Sequence, residues 1–463
     1  MTSREQGTAD TITKLARAVC DVRSEDIPAA AMRQAQLLLL DTIGCGIAGA
    51  REGATRAVGD MALREGRGEC ALIGRAGRTS ASHAVFANGV AVRVLDLNDY
   101  LIGNSKGEPE TGGHPSDNIP VALAVATARN CTGADVLGAI VIGYEIYARL
   151  QGAMNRDGAW DNVTASGIVA PAMAGRLMGL DEMRLAHAIA LGAARAAIPA
   201  IVRTGHISSA KSIVNAMIAQ AGVQAAFLAE AGLTGPLPIL DDARGLRDLF
   251  PQMDAALLTA PIAFSAIASA HVKVYPCVNT GQTAVAAALK LHAMLQGRIK
   301  DLTHIEIVMA DYGSVKRHQE DKARVRPESR EAADHSFPFL VAVALQDGAF
   351  GLAQLENERW RDPHITALME NITMRRDAEW NARTQESFPC RLIARDRDGR
   401  EFIAEAATPP GFSKNGLDQA AVMEKFHAVT APHLDERERA RIVDAAMELN
   451  HSRSTAALDN AIS

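Results

Sequence analysis

The chain has 463 residues, enough for two or three domains, and its 48% hydrophobic and 22% charged residues are ordinary for a globular protein. The net charge of −6 offers no basic surface for nucleic acid, and the six scattered cysteines argue against an iron–sulfur cluster. Neither a secretory signal nor an uninterrupted apolar stretch of membrane-spanning length is visible. We therefore expect a cytoplasmic protein with neither nucleic acid nor a membrane as a partner.

Helical spacing of apolar residues dominates from Thr8 to about Gly232. The helices that the pattern predicts most clearly cover 80–96, 134–150, 164–179 and 209–232. Pro171 should kink the third of these or break it in two, and Gly232 is placed to cap the fourth. Because aromatic residues make up only 4% of the chain while Gly and Ala recur, the pattern favours close helix packing.

The character of the sequence changes after about residue 268. Four short segments have the β-branched content or alternation typical of strands, and they cover 304–310, 372–377, 390–396 and 401–407. Helical patterns at 279–297 and 330–347 lie among them, and further helices follow a turn-rich stretch. The predicted fold is mainly α with an α+β part. Its large all-helical domain covers 1–268, completed by 412–463, and its smaller α+β lid domain covers 269–411.

A polar loop, 94–118, separates two apolar helices and carries Asp96 and His114. A long connection inside a compact domain is uncommon and is often functional. Asp96 should lie near the C-terminal end of a helix, where the helix dipole raises the pKa of an acid. His114 lies just before a helix start, where an anionic ligand could also reach backbone N–H groups. A solvated loop acid remains an alternative for Asp96.

Two lysines lie near the starts of apolar helices, where the helix dipole disfavours a cation. Lys211 lies in the first turn of the 209–232 helix, with Arg203 and His206 just upstream, and Lys273 precedes the 279–297 helix. Together these residues offer cations for carboxylates. Taken singly, each lysine is equally compatible with an exposed side chain on the protein surface.

Known catalytic motifs are absent from the sequence. Asp334, His335 and Ser336 suggest a hydrolase triad, but consecutive residues on a helix do not face one another. The sequence contains no GxSxG, HExxH or GxxxxGK[ST] motif, and the 13 histidines show no metal-ligand spacing. We therefore predict no metal site.

Several segments, in order along about residues 10–430, resemble the MmgE/PrpD family, which includes 2-methylcitrate dehydratases, cis-aconitate decarboxylases and iminodisuccinate epimerases. The matching segments are LLLLDTIGCGIAGA, HAVFANGVAVRVLDLND, GGHPSDNIP, GYEIYARL, AGRLMGLD, AKSIVNA, GVQAAFLAEAG, VKVYP, SREAADHSFPF and ALQDG. The resemblance implies a helical domain with an α+β lid, a homodimer, and a site between the domains that uses neither metal nor cofactor. The GGHPSDN and ADHS segments are more similar to the dehydratases than to the decarboxylases.

The resemblance also implies which residues form the active site. Its catalytic positions are Asp96, His114, Lys211 and Lys273. We predict that His114 transfers a proton and that Asp96 either orients it or acts as the acid. The lysines should bind carboxylates and stabilise developing charge, and a proton-transfer role for one of them stays open. Further residues predicted to contact substrate are Arg203, His206, Asn98, Asp161, Asn162, His335 and Ser336.

Three positions depart from the family pattern. Relatives often have histidine near Asn162 and at Thr280, and tyrosine at Phe339. The function expected from the resemblance is a cofactor-independent lyase, a dehydratase that eliminates water from a 2-methylcitrate-like polycarboxylic acid. The alternatives are decarboxylation of a cis-aconitate-like acid, epimerisation of a dicarboxylate, or binding of a small acid without catalysis.

Overall fold

The computed structural model describes residues 10–105, 108–153, 160–205, 207–250, 253–381, 387–412 and 416–463. It is mainly helical with a small α+β part, as predicted. The two parts have separate hydrophobic cores, one built largely from residues 12–272 and the other from residues 277–406.

The first part is a packed set of helices with two short hairpins. Its helices are α1 (Thr11–Cys20), α2 (Ala29–Gly49), α3 (Gly53–Glu65), α4 (Ala81–Arg93), α5 (Ile119–Arg129), α6 (Gly133–Ala153), α7 (Ser166–Leu177), α8 (Glu182–Ala193), α9 (Ala210–Glu230) and α10 (Ala255–Thr259). The antiparallel hairpins are β1 (Cys70–Leu72) with β2 (Arg75–Thr79), and β3 (Ile102–Ser105) with β4 (Glu108–Thr111). The sequence pattern predicted neither hairpin, because three- to five-residue strands carry too few positions to show alternation.

Small residues allow these helices to approach closely, as the composition suggested. A Cβ atom added to Gly89 on α4 would lie 2.8 Å from the Cβ of Ala216 on α9. The helix α7 is continuous across Pro171, so the prediction that it breaks in two is wrong. The proline ring packs where glycines leave room, and a Cβ on Gly192 would lie 2.7 Å from its Cγ.

The helix α9 crosses the first core and ends near Gly232, which has the left-handed φ of +90° expected for a cap. By length and composition alone it is the one helix in the described ranges that could cross a membrane. However, 61% of its apolar window is buried inside the protein, which is typical of a core helix.

The second part contains a four-stranded mixed sheet. Its elements are α11 (Gln282–Leu295), β5 (Leu302–Ala310), α12 (Gly313–Glu320), α13 (Lys322–Val325), α14 (Arg330–Ala333), α15 (Phe337–Asp347), α16 (Pro363–Glu370), β6 (Ile372–Asp377), β7 (Cys390–Asp396) and β8 (Glu401–Ala406). The strand order is β6-β5-β7-β8, with β5 parallel to β6 and antiparallel to β7. All four predicted strands are therefore confirmed.

The helix predicted over 330–347 is interrupted at Asp334, His335 and Ser336. The Ser336 side chain accepts a hydrogen bond from the Phe339 N–H, which makes Ser336 the N-cap of α15. Pro338 follows in the first turn, where a proline is tolerated. The three residues thus form a turn, and the premise that they lie on one continuous helix is wrong.

The C-terminal helices α17 (Gln419–Thr430), α18 (Glu436–Met447) and α19 (Ala456–Ile462) contribute Phe426 and Ile442 to the first core. The division into domains at 1–268, 269–411 and 412–463 stays a prediction.

Candidate active site

A cleft of about 480 Å³ opens where the Asp96 loop, the segment ending at Arg203, and helices α12 and α13 come together. This volume is within the usual range for a small-molecule site. Asp96, His114, Lys273 and His335 all line it. The structure therefore brings residues from three separate segments of the sequence to one place.

Asp96 lies at the centre of a group of cations. Helix α4 ends at Arg93, and Asp96 follows it with a left-handed φ of 50°. The Lys273 ammonium lies 2.5 Å from Asp96 Oδ1, and an Arg93 Nη1–H donates to the same oxygen over 2.9 Å. The Lys211 ammonium lies 3.3 Å from Oδ2.

These cations decide the charge of Asp96. Burial alone would raise the pKa of this carboxyl, but Lys273, Lys211 and Arg93 together hold its pKa well below the ordinary value. The raised pKa expected from the helix dipole is therefore not found, because three nearby full charges outweigh the dipole's fractional charge. A lowered pKa favours the ionised form of Asp96, which does not suit it to be an acid.

His114 is held as a neutral imidazole. Burial lowers its pKa well below the ordinary value, and the charges of Arg93 and Lys273 lower it further. Its Nδ1 lies 2.5 Å from the Asp99 carbonyl oxygen, so Nδ1–H donates there and Nε2 carries the lone pair. The partner that orients His114 is thus the Asp99 carbonyl, and not the Asp96 side chain that the sequence suggested.

A buried polar layer supports this loop. Tyr144 donates its hydroxyl proton to Asp99 over 2.7 Å, and burial raises the pKa of Asp99 to about 7. The Asn98 amide donates to Ser116 and Asp117, and its oxygen accepts from Arg93. Because Asn98 is fully buried and bonded at both ends, the structure gives it a supporting role in place of the predicted contact with substrate.

Lys211 lies on α9 in the first part of the protein and contacts Asp334 and His335 in the second part. Its ammonium lies 2.8 Å and 3.0 Å from the two carboxylate oxygens of Asp334, and 3.2 Å from Nδ1 of His335. Lys211 and Asp334 are each 2% exposed. Atoms of Asp96, Asp334 and His335 lie within 4.8 Å of one another, close enough to bind a metal ion. The Lys211 ammonium contacts all three side chains, and a metal ion placed there would have to displace it.

Arg203 lies on another wall of the cleft. Its Nε–H donates to Asp161 over 2.6 Å, while its Nη1 is buried without a hydrogen-bond partner in the described part of the chain. Asp161 also accepts from the Val163 N–H, so it fixes the guanidinium. The structure therefore assigns Asp161, predicted to contact substrate, to orienting Arg203. Asn162 lines the same cleft.

Arg324 and His318 line the cleft and were not predicted. An Arg324 Nη1–H donates to His318 Nδ1 over 2.7 Å, and its Nη2–H donates to the Arg203 carbonyl over 2.7 Å. His318 Nε2 lies 3.1 Å from the Thr280 hydroxyl. Both ring nitrogens of His318 are thus engaged. No spacing in the sequence connects Arg324 with Arg203, which lie 121 residues apart.

The remaining predicted residues have varied placements. His335 lines the cleft, whereas the Ser336 hydroxyl is fully buried and caps α15. Phe339 is a core residue packed edge-on against Trp360. His206 lies outside the described residues.

Comparison with known proteins identifies relatives along most of the chain. A model of the MmgE/PrpD N-terminal domain matches residues 13–256, and a model of the MmgE/PrpD C-terminal domain matches residues 275–449. Cis-aconitate decarboxylase from Mus musculus is 24% identical, with 86% of this chain and 82% of that protein aligned.

Dehydratases are similar to the chain to the same degree. The 2-methylcitrate dehydratase of Salmonella typhimurium is 24% identical over 89% of each protein, and that of Cupriavidus necator is 26% identical over 89% of this chain and 88% of its own. Because both kinds of relative are about equally similar, the choice between the two reactions depends on the site.

Proposed function

The chain belongs to the MmgE/PrpD family, and from this premise we propose that it is a lyase that eliminates water from a 2-methylcitrate-like polycarboxylic acid. The observation that supports the proposal best is the geometry of His114. Its neutral imidazole has Nδ1 engaged by the Asp99 carbonyl, and Nε2 carries a lone pair in a cleft whose walls are rich in cations.

The cations of the cleft suit a substrate with several carboxylates. Among the described residues nothing pairs with the buried Nη1–H of Arg203, and such a group costs about 1–3 kcal/mol until an acceptor arrives. A substrate carboxylate would supply that acceptor. Lys273 lines the cleft near His114 and would stabilise a second carboxylate.

The proposed chemistry begins at the carbon next to a carboxylate. Nε2 of His114 takes the carbon-bound proton, and the positive charge of Lys273 stabilises the enolate-like charge that develops. The electron pair of the C–H bond then becomes the new double bond as the hydroxyl group leaves. The leaving hydroxyl must receive a proton, and the ionised Asp96 has none to give.

Decarboxylation is the second candidate, because cis-aconitate decarboxylases are among the relatives. In that reaction the cations would hold the acid while carbon dioxide leaves, and a protonated His114 would supply the proton to the carbon. The homodimer, the cytoplasmic location and the absence of a cofactor remain predictions.

Proton NMR in deuterated buffer tests the proposal. The chelator-treated protein is incubated separately with 2-methylcitrate, citrate, cis-aconitate and iminodisuccinate. Loss of water from 2-methylcitrate or citrate is the expected result. Loss of carbon dioxide from cis-aconitate would show instead that the protein is a decarboxylase. Solvent deuterium entering iminodisuccinate without net product would point to an epimerase, and no change in any acid would contradict the proposal.

A further inference from the structure

Elimination of water needs an acid beside the leaving hydroxyl, and neither His114 nor Asp96 provides one. His114 is committed to removing the carbon-bound proton, and Asp96 is ionised. Among the described cleft residues, His318 has both ring nitrogens engaged by Arg324 and Thr280. This inference rests on the proposed function and asks which group completes it.

Asp334 and His335 form a pair with the required geometry. Nδ1 of His335 makes a close contact with Oδ1 of Asp334, and the ring lines the cleft. Nε2 of His335 lies 3.7 Å from Oδ2 of Asp96, a residue that lines the same cleft. Asp334 itself is 2% exposed, so its path to the cleft runs through the imidazole.

We propose that Asp334 and His335 act as a proton relay that protonates the leaving hydroxyl. The Asp334 carboxyl proton passes to Nδ1, and the Nε2 proton passes to the hydroxyl oxygen. The C–O bond breaks and water leaves. His114 has gained the carbon-bound proton, Asp334 has lost its carboxyl proton, and the remaining ring proton of His335 is on Nδ1. Transfer from His114 through cleft water to Nε2 of His335, and from Nδ1 back to Asp334, restores all three groups.

Lys211 is the positioning residue of the relay. Its ammonium contacts both oxygens of Asp334 and Nδ1 of His335, and it holds the carboxyl against the ring. Burial raises the pKa of Asp334, the charge of Lys211 opposes that rise and the negative charge of Asp96 adds to it, and the result is a pKa of about 6. The pKa therefore lies where a carboxyl exchanges its proton near neutral pH, as a relay requires.

The experiment compares two leaving groups. Fluoride departs without needing a proton, so an enzyme that lacks its acid still eliminates it. The substrates are 2-methylcitrate and the analogue in which fluorine replaces the hydroxyl group. The variants are His335→Asn, which leaves the Asp334–Lys211 pair in place, and Asp334→Asn. His364→Asn, at an exposed histidine on α16, is the matched control.

We expect His335→Asn to lose water elimination about 10²- to 10⁴-fold while fluoride release falls less than about 10-fold. Deuterium exchange at the substrate carbon should persist, because His114 is intact. Asp334→Asn, if it folds, should also lose water elimination much more than fluoride release. The control should behave as wild type. Equal losses on both substrates, or no loss, would overturn the relay. A wild type that releases fluoride but not water would also overturn it, whereas a wild type that releases neither would overturn the proposed function itself.

Discussion

The Lys273 ammonium lies 2.5 Å from a carboxylate oxygen of Asp96 and 2.9 Å from the carbonyl oxygen of the same residue. One lysine thus holds both the side chain and the backbone of a residue in the left-handed conformation. Aspartate tolerates that conformation better than most residues do. The pair fixes the shape of the loop as well as its charge.

Asp96→Asn should therefore destabilise the fold strongly. The substitution leaves Lys273, Lys211 and Arg93 buried close together with less negative charge, and breaking a buried ion pair costs about 3–5 kcal/mol. Urea denaturation at pH 7 measures this loss. The control is Asp398→Asn, whose side chain is 73% exposed, and it should change the free energy of unfolding by less than about 0.5 kcal/mol. Equal losses in the two variants would show that the cluster does not carry this stability.

His114→Gln should slow turnover strongly without unfolding the protein. Removing a group that transfers a proton lowers kcat by about 10²- to 10⁴-fold, and glutamine can still donate to the Asp99 carbonyl. Turnover and deuterium exchange at the substrate carbon should both fall by this factor, and a thermal melt should match wild type. Exchange at the wild-type rate would exclude His114 as the base.

Arg203→Lys should weaken substrate binding more than it slows the chemistry. Lysine keeps the charge but loses the planar guanidinium that Asp161 orients, so KM should rise about 10- to 100-fold with kcat nearly unchanged. Asp161→Asn should raise KM less, because it acts only through Arg203. Steady-state kinetics on the substrate found by NMR separates the two parameters. A fall in kcat alone for Arg203→Lys would place this residue in the chemistry instead.

His318 should make the fold less stable in acid. Burial, with the charges of Arg324, His335 and Arg317, lowers its pKa well below the ordinary value of about 6.5. The unfolded chain then binds a proton below pH 6.5 that the folded chain does not, so stability falls as the pH falls. Between pH 7.5 and 5.0 this one group accounts for about 2 kcal/mol.

His318→Gln removes that titration and should reduce the loss of stability between the two pH values by about 2 kcal/mol relative to wild type. The raised pKa values of Asp99, Asp117 and Asp334 act in the opposite direction, but they are present in both proteins. Urea denaturation at both pH values checks this, with His364→Gln as the control at an exposed histidine. The same pH dependence in His318→Gln and wild type would refute the prediction.

Sequence periodicity predicted the four strands and the long helices because each of these elements shows a regular spacing of apolar residues. It could not show that Asp96, Lys211 and Lys273 meet, since these residues are far apart in the chain. Only the family resemblance grouped them. Arg93, Arg324 and His318 lie in ordinary helical contexts, and only their tertiary contacts distinguish them.

The sequence does contain a signal for the turn at His335. Ser336 followed by Pro338 is a typical helix start, and it divides the 330–347 pattern at the turn that presents His335 to the cleft. The pKa of Asp96 has no such signal, because Lys273, whose charge outweighs the helix dipole, lies 177 residues away.

The contact between Lys211 and Asp334 has a consequence for synthesis on the ribosome. The two residues are 123 positions apart. At about 5–20 residues per second, Lys211 therefore emerges roughly 6–25 s before Asp334, whose carboxyl it contacts in the folded protein. Among the described residues already synthesised by then, Asp96 is the one carboxylate that contacts Lys211 in the folded protein, and Arg93 contacts the same carboxylate. The docking of α9 is therefore complete only when the second half of the chain has been made.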